Sequence, residues 1–409
     1  MKNINIKEAE EKRLLLIHGR HSFLSEPEKI NTVLDKDSVA LFYTGAGIET
    51  NIKASELFVS IYSDYDMYEN WVSVLINGAL SQRIMLNKGM NRICCFRLMN
   101  SEEIKNVRIM MENQTFESDA GGLFIITGLE TDGELPDIKE KKLKIEFIGD
   151  SITSSEGAIG AKNDMDWIPM FFSAHNSYPF FTAKMLDADY RVVAQSGWGM
   201  VCSWDGNPLC SVPMYYEKNC GLDKGEKQIA AGAHVENDFN RWMPDVVLIN
   251  LGTNDFSGFN NPSPEVVDGK LKAEIKEIYK KSGKLPVPYR LDGDRLIYDL
   301  KMNSDGSFDE LCADYWVGEA VKNLKKIRHY NPGAYIIWAL GMLGNGLKPL
   351  VKRTVSEYQA ETGDERITFL ELKECNDETV GSRCHPGIKN HMEAAETIAA
   401  KIKEVLKQK

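Results

Sequence analysis

Short apolar runs bounded by turn residues fill the first third of the chain. They fall at Val39–Tyr43, Glu56–Tyr62, Trp71–Ile76, Arg83–Asn87, Arg92–Leu98, Val107–Met111 and Gly122–Thr127. Turn signals at Gly45-Ala46-Gly47, Asn77-Gly78, Asn87-Lys88-Gly89 and Gly121-Gly122 separate them. Many short strands at this spacing predict an all-β sandwich or jelly roll over residues 1–138. Pro136 and the lysine-rich Lys139–Lys142 read as a linker. From Lys142 the pattern changes to buried strands alternating with helices. The strands are predicted at Leu143–Ile148, Arg191–Gln195, Pro244–Leu251, Ala334–Leu340 and Arg366–Leu372. Ser177, followed by Pro179, reads as the N-cap of a helix running to Met185, and Lys224–Trp242 as helical. Further helices are predicted at Trp316–Tyr330, Leu347–Gln359 and Ile388–Lys407. The last shows an apolar face of Ile388, Met392, Ala395, Ala399, Ile402 and Leu406. The alternation predicts an α/β unit over residues 139–409, a doubly wound parallel five-stranded sheet. Phe256–Tyr315 interrupts it with a surface helix at Lys270–Lys280 and a hairpin over Arg295–Met302 and the Asp305-Gly306 turn. It leaves the carboxyl edge of the sheet and is too long for an ordinary loop, so it reads as a lid or substrate platform.

A chain of 409 residues with 43% hydrophobic content can bury two cores. The formal net charge of −11 and the absence of a basic block argue against nucleic acid or an anionic membrane as partner. Leu14–Ile17 is too short for a signal-peptide core, and no stretch approaches the ~18 apolar residues of a membrane span, so a cytoplasmic protein is expected. The eight cysteines form no CxxC pair and no zinc spacing. They are expected to be reduced thiols, with one of the adjacent Cys94 and Cys95 in a core. Gly45 and Gly47 lack the rest of a dinucleotide fingerprint and read as turn glycines. Asp292-Gly293-Asp294 lacks the remaining ligands of a calcium loop. No metal or cofactor is expected. The oligomeric state is not legible.

The candidate chemistry sits at strand ends. Ser151 follows the first strand of the second half in Gly149-Asp150-Ser151, Gly197 follows the second, and Asn254 follows the third in Gly252-Thr253-Asn254-Asp255. His385, in His385-Pro386, follows the fifth strand just before the last helix. A doubly wound sheet brings all four to one carboxyl edge. That equips the chain for acyl transfer: Ser151 as nucleophile, His385 as base, and an oxyanion held by the backbone N–H groups of Ser151 and Gly197 and the Asn254 side chain. The bland alternative, in which Asp150-Ser151 merely caps a helix, competes only while that block is read alone.

These four blocks, in this order, resemble the SGNH (GDSL-type) hydrolase superfamily over residues 142–409. With an all-β front domain, the chain looks like carbohydrate esterase family 2. That resemblance implies metal-independent removal of O-acetyl groups from polysaccharides such as xylan and glucomannan. An acyltransferase using the same site and a non-catalytic carbohydrate-binding protein are the competing readings. Many SGNH hydrolases place an aspartate three residues before the histidine. Here that position is Ser382, and Asp377 and Glu378 are out of place. A Ser151–His385 dyad is therefore expected, with the second imidazole N–H given to a backbone carbonyl or a hydroxyl.

Trp198 and Trp204 are candidates to stack on a sugar face, and Asp150 to contact substrate. Packing under the Val201–Gly221 loop is the alternative for both tryptophans. Asp255 reads as a cap for the segment after the third strand. His391 reads as a surface or hydrogen-bonded histidine, and His18, His21, His175, His234 and His329 as structural.

Overall fold

The structure, a computed structural model, describes residues 1–407. In the front half, two antiparallel sheets of six and five strands pack around one apolar core that includes Leu41, Val59, Ile61, Val74, Ile109 and Ile126. The alternation of buried and half-buried positions along Gly47–Lys53 is what two stacked faces require, and Leu57–Asp64 is buried along most of its length. Trp71–Ile76 lies where it is predicted. Lys2–Ile4, Leu15–His18, His21–Phe23 and Gly47–Lys53 are additional strands, and Ile6–Glu11 is a short helix capped by Asn5. Gly45 is a turn glycine with φ +79°, whereas Gly47 is the first residue of a strand.

The second half is built on five parallel strands: β1 (Leu143–Gly149), β2 (Ala188–Ala194), β3 (Val246–Asn250), β4 (Tyr335–Leu340) and β5 (Ile367–Glu371), in the order β2-β1-β3-β4-β5. The central strands are buried on both faces, as helix-covered parallel strands must be. Their covering helices are α1 (Tyr178–Leu186), α2 (Thr253–Asn260), α3 (Glu310–Tyr330), α4 (Lys348–Thr362) and α5 (Ile388–Leu406). Ser177 caps α1 by accepting from the Phe180 N–H. The buried face of α5 runs through His391, Ala394, Ala395, Ile398, Ile402 and Val405, so Ile388 and Met392, read from sequence as part of the apolar face, lie exposed.

Lys224–Trp242 corrects the sequence reading. Only Glu226–Ala230 is helical, because Gly225 and Gly232 break the run and the buried Gln228 caps back to the Gly225 N–H. In the 256–315 insertion, the helix spans Gly269–Ser282. The hairpin pairs Tyr289–Asp292 with Arg295–Tyr298, one turn earlier than predicted. The insertion is packed down: Val266, Ile275, Leu296, Tyr298 and Leu300 belong to the largest core cluster. That same cluster joins the halves, with Phe42, Tyr43, Tyr62 and Leu123 of the front sheets packing with Ile148, Val193 and Val201 of the second half. Cys95 is buried and Cys94 half-buried, and all eight cysteines are free thiols. No helix among the described residues is long and apolar enough to cross a membrane.

Candidate active site

Ser151 opens a tight turn at the carboxyl end of β1. The Ser154 N–H donates to the Asp150 carbonyl (2.9 Å) and the Glu156 N–H to the Ser151 carbonyl (2.9 Å), so the chain coils back on itself directly after the serine. Gly149 is required by contact: a Cβ there would lie 1.8 Å from Thr153 Oγ1. Gly157, at φ +68°, closes the turn, and a Cβ on it would meet the Ser382 carbonyl at 2.4 Å and the His385 Cβ at 2.7 Å. A glycine at this point lets the histidine loop come down onto the serine turn.

That loop starts at the far edge of the sheet, after β5, and runs back across it. It is tied by the Ser382 N–H to the Gly157 carbonyl (3.1 Å), by Ser382 Oγ to the Ile159 carbonyl (3.1 Å) and by the Arg383 N–H to the Asp164 carbonyl (2.7 Å). Arg383 and Cys384 are both left-handed, at φ 52° and 58°. This coil turns the Arg383 carbonyl toward the imidazole two residues on, where it accepts from His385 Nδ1 at 2.9 Å. A carbonyl can only accept, so the proton belongs on Nδ1, and Nε2 is left to accept from the Ser151 hydroxyl at 2.9 Å. Asp377 is out of reach: it is 95% exposed and pairs with Lys162. The carboxylate nearest the imidazole is one that sequence reading missed. Glu156 Oε1 lies 3.7 Å from His385 Nε2, almost fully buried, and is held by Arg383 Nε at 2.9 Å.

The flanking strands carry the remaining groups. Gly197 follows β2 at φ +80° and Asn254 sits in the first turn of α2 after β3, one on each side of Ser151. No hydrogen bond to another described residue occupies the backbone N–H of Ser151 or Gly197. Asn254 Nδ2 donates to the Trp198 carbonyl (2.9 Å) and, at a longer 3.2 Å, to Asp150 Oδ2. Asp150 is 1% exposed and turned inward, with its other oxygen accepting the Ile152 N–H (3.0 Å), so it offers nothing to a substrate. Burial, reinforced by the like charges of Asp255 and Glu156, pushes its pKa up to about 7.

Asp255 does not cap its own helix. It accepts from the N–H groups of Met200 (2.7 Å), Val201 (2.7 Å) and Cys202 (3.2 Å), and from Trp316 Nε1 (2.9 Å), gathering the loop after Gly197 into a fixed arc. A Cβ on Gly199 would lie 2.2 Å from its carboxylate. This arc decides between the two tryptophans. Trp198 is buried against Tyr215 (5.4 Å between ring centroids), which removes it as a sugar platform. Trp204 is 55% exposed and lies directly over Gly197, where a Cβ would sit 3.0 Å from Trp204 Cδ1.

His391 is fully buried rather than at the surface; its Nδ1 accepts the Tyr178 N–H (3.2 Å), and its ring stacks on that tyrosine. His175 is structural: with Ser173 it is held by the buried Glu112 of the front half, at 2.9 and 3.0 Å. Gln114, also from the front half, accepts from the N–H (2.9 Å) and hydroxyl (3.1 Å) of Ser196, next to Gly197.

No family model matches the chain. It is similar to the structure of an acetyl xylan esterase from the rumen bacterium Butyrivibrio proteoclasticus, with 36% identity over 96% of both chains and a TM-score of 0.84. A family two carbohydrate esterase from Clostridium thermocellum, in complex with cellohexaose, shares the fold at TM-score 0.71 and 23% identity, over 96% of this chain and 99% of that one. An acetylxylan esterase / glucomannan deacetylase of Cellvibrio japonicus is 28% identical over 225 residues, and the cellulase/esterase CelE of Acetivibrio thermocellus 24% over 371. Those matches cover 54% and 89% of this chain but only 59% and 37% of the two curated relatives. Fold, order of the motif blocks and near full-length similarity agree: the chain belongs to carbohydrate esterase family 2, with an SGNH-type hydrolase fold.

Proposed function

We propose that this protein is a serine esterase that removes O-acetyl groups from acetylated sugars or oligosaccharides of the xylan and glucomannan type. The observation that carries the reading is the 2.9 Å contact from Ser151 Oγ to His385 Nε2, with Nδ1 tied to the Arg383 carbonyl. In this reading His385 Nε2 takes the serine proton as Oγ attacks the acetyl carbonyl. The oxyanion is received by the free N–H groups of Ser151 and Gly197. Asn254 joins them by releasing its longer bond to Asp150. One such donor is worth roughly 3 kcal/mol of barrier. The imidazolium then protonates the departing sugar hydroxyl, and the same histidine activates water to clear the acetyl-enzyme. Glu156 faces Nε2 while that nitrogen carries the extra proton.

Trp204, exposed above Gly197, supports a sugar ring stacked beside the acetyl pocket. The names of the relatives, acetyl xylan esterase and glucomannan deacetylase, support the substrate class. The two packed antiparallel sheets support reading residues 1–138 as a jelly roll, ahead of a hydrolase unit at 139–409 that carries the 256–315 insertion.

Acetate release from acetylated xylo- and gluco-oligosaccharides, run beside p-nitrophenyl esters of increasing chain length, tests the assignment. Acetyl esters should be cleaved, and octanoyl esters much more slowly. Ser151→Ala and His385→Ala should each lower kcat by at least ~10³-fold, and a fluorophosphonate should label wild type but not Ser151→Ala. Labelling of Ser154 or Ser155 instead, or preference for the octanoyl ester, would overturn the reading.

A further inference from the structure

At the opposite edge of the sheet from Ser151, the seam between the halves holds two adjoining cavities of about 290 and 190 Å³. His21, Arg191 and Arg241 line both. Arg191 lies on β2, six residues before Gly197, which puts roughly 20 Å of strand between it and the acyl-transfer site. It is 6% exposed, its guanidinium stacks on Trp242 at 4.4 Å, and it makes no hydrogen bond or ion pair with a described residue.

Glu11, Glu49 and Glu140 also line the larger cavity and Glu236 and Asp238 the smaller, but the three carboxylates nearest Arg191 and Arg241 are engaged. Glu146, beside it in register, is bound by Arg20 (3.3 Å) and the Tyr216 hydroxyl. Asp189 is bound by His18 (2.7 Å) and Trp242 Nε1 (2.6 Å), and Glu10 pairs with Arg241. A buried guanidinium without an acceptor is costly, and burial pulls its pKa down to about 10. On the same wall, His21 Nδ1 donates to the Gly19 carbonyl (3.0 Å), so Nε2 is a lone pair, and it is shut from solvent with no donor facing it. Burial and the Arg191 charge hold that ring neutral, with its pKa lowered to about 3.

We propose that this cavity binds a small oxyanion that titrates near neutrality and can keep one proton when bound, of the phosphate or phosphate-monoester class, with Arg191 and Arg241 donating to its oxygens and its retained O–H donating to His21 Nε2 once the ring turns that nitrogen into the cavity. Sulfate and simple carboxylates match the guanidinium but have no proton for the imidazole at neutral pH.

The test is calorimetric titration of the wild-type protein at pH 7 and fixed ionic strength with inorganic phosphate, with glucose 6-phosphate and with sulfate. One phosphate per chain is expected, bound at least tenfold more tightly than sulfate. A tighter response to glucose 6-phosphate assigns the site to monoesters, and a tighter response to phosphate to the free ion. No saturable heat up to about 20 mM, a Kd too weak to matter, or equal binding of sulfate, overturns the proposal. In thermal unfolding, saturating phosphate should raise Tm by roughly 2–6 °C. Arg191→Gln should abolish that rise while leaving aryl acetate turnover intact. A rise that survives Arg191→Gln also overturns it.

Discussion

Asp150 allows a quantitative check of the site's electrostatics, because its charge is buried beside two other carboxylates. The perturbation is Asp150→Asn, which keeps the shape and one acceptor oxygen and removes the titration. In the folded chain the carboxyl holds its proton up to about pH 7, against an ordinary value of 3.8. Between those values the native state binds one proton more than the unfolded chain, so this group makes stability fall as pH rises. Its cost is absent below about 3.8 and complete above about 7, where the gap corresponds to ~4 kcal/mol. Roughly 3 kcal/mol of that develops between pH 5 and 8. The hydrogen bond from the Ile152 N–H is already contained in that net value, since it favours the charged form. The assay is urea unfolding of both proteins from pH 5 to 8.5, comparing ΔG at each pH. The variant should be the more stable by ~1.5 kcal/mol at pH 5 and by ~4 kcal/mol at pH 8, a change of roughly 3 kcal/mol across the range. Fluorophosphonate labelling of Ser151 checks that the variant keeps its site. A stability difference that does not change with pH would refute the argument, because the carboxyl would then titrate alike in both states.

Three further outcomes are expected. Glu156→Gln should lower kcat about 10–100-fold with little change in KM. A carboxylate 3.7 Å from Nε2 is worth ~4 kcal/mol to an imidazolium at an effective dielectric of about 20, and the Arg383 guanidinium offsets part of it; an unchanged kcat would remove Glu156 from the reaction. His18 joins the halves through Asp189 (2.7 Å) and also pairs with Glu49 (2.9 Å) of its own sheet. Burial and Arg108 push its pKa down, but the two carboxylates outweigh them and it ends raised, so its contribution is full below about 6.5 and is lost as pH rises through the folded value. His18→Ala should cost about 3–5 kcal/mol at pH 6 in urea unfolding and should flatten the alkaline loss; an unchanged pH profile would rule out the charged bridge. Trp204→Ala should raise KM for an acetylated oligosaccharide about tenfold and leave aryl acetate hydrolysis nearly intact, while equal losses on both substrates would assign the ring to packing.

The parallel strands were legible because each is a run of apolar residues buried on both faces, and each ends at a turn that carries chemistry. Gly47–Lys53 was not, because it follows directly on the Gly45–Gly47 turn signal and only Ile48 and Ile52 are apolar, so the alternation with Glu49, Asn51 and Lys53 is too thin to stand out. Lys224–Trp242 has the composition of a helix, but Gly225 and Gly232 and the inward-turned Gln228 outweigh propensity. The four blocks of the site could be placed on a shared edge from topology alone. Which tryptophan faces out could not, since that depends on Asp255 gathering three N–H groups from a loop 53–55 residues away in sequence. Ser382 ruled out a carboxylate at the usual place. The carbonyl that stands there instead depends on two consecutive left-handed residues, and no spacing rule announces those. Glu156 was invisible for a related reason: it meets His385 only because Gly157 and Gly381 let two loops touch.

The front half has a part in the site beyond any hold it has on sugar. Glu112 holds Ser173 and His175, and the Ser173 N–H in turn donates to Ser155 Oγ (3.2 Å), four residues after Ser151. Arg83 reaches the carbonyls of Met170 (2.8 Å) and Phe172 (2.9 Å) on the same segment. Gln114 holds Ser196 one residue before Gly197. Each of these bonds is worth only about 1 kcal/mol to stability. Their leverage is positional, because they grip the backbone beside Ser151 and Gly197, whose N–H groups are proposed to receive the oxyanion and where a displacement of ~1 Å would cost about 10²-fold in rate. The parallel sheet supplies Ser151, Gly197 and Asn254 from three adjacent strands, but the chain next to two of them is fixed from across the seam. With the largest core cluster also shared between the halves, the β-rich half is a structural wall of the proposed site.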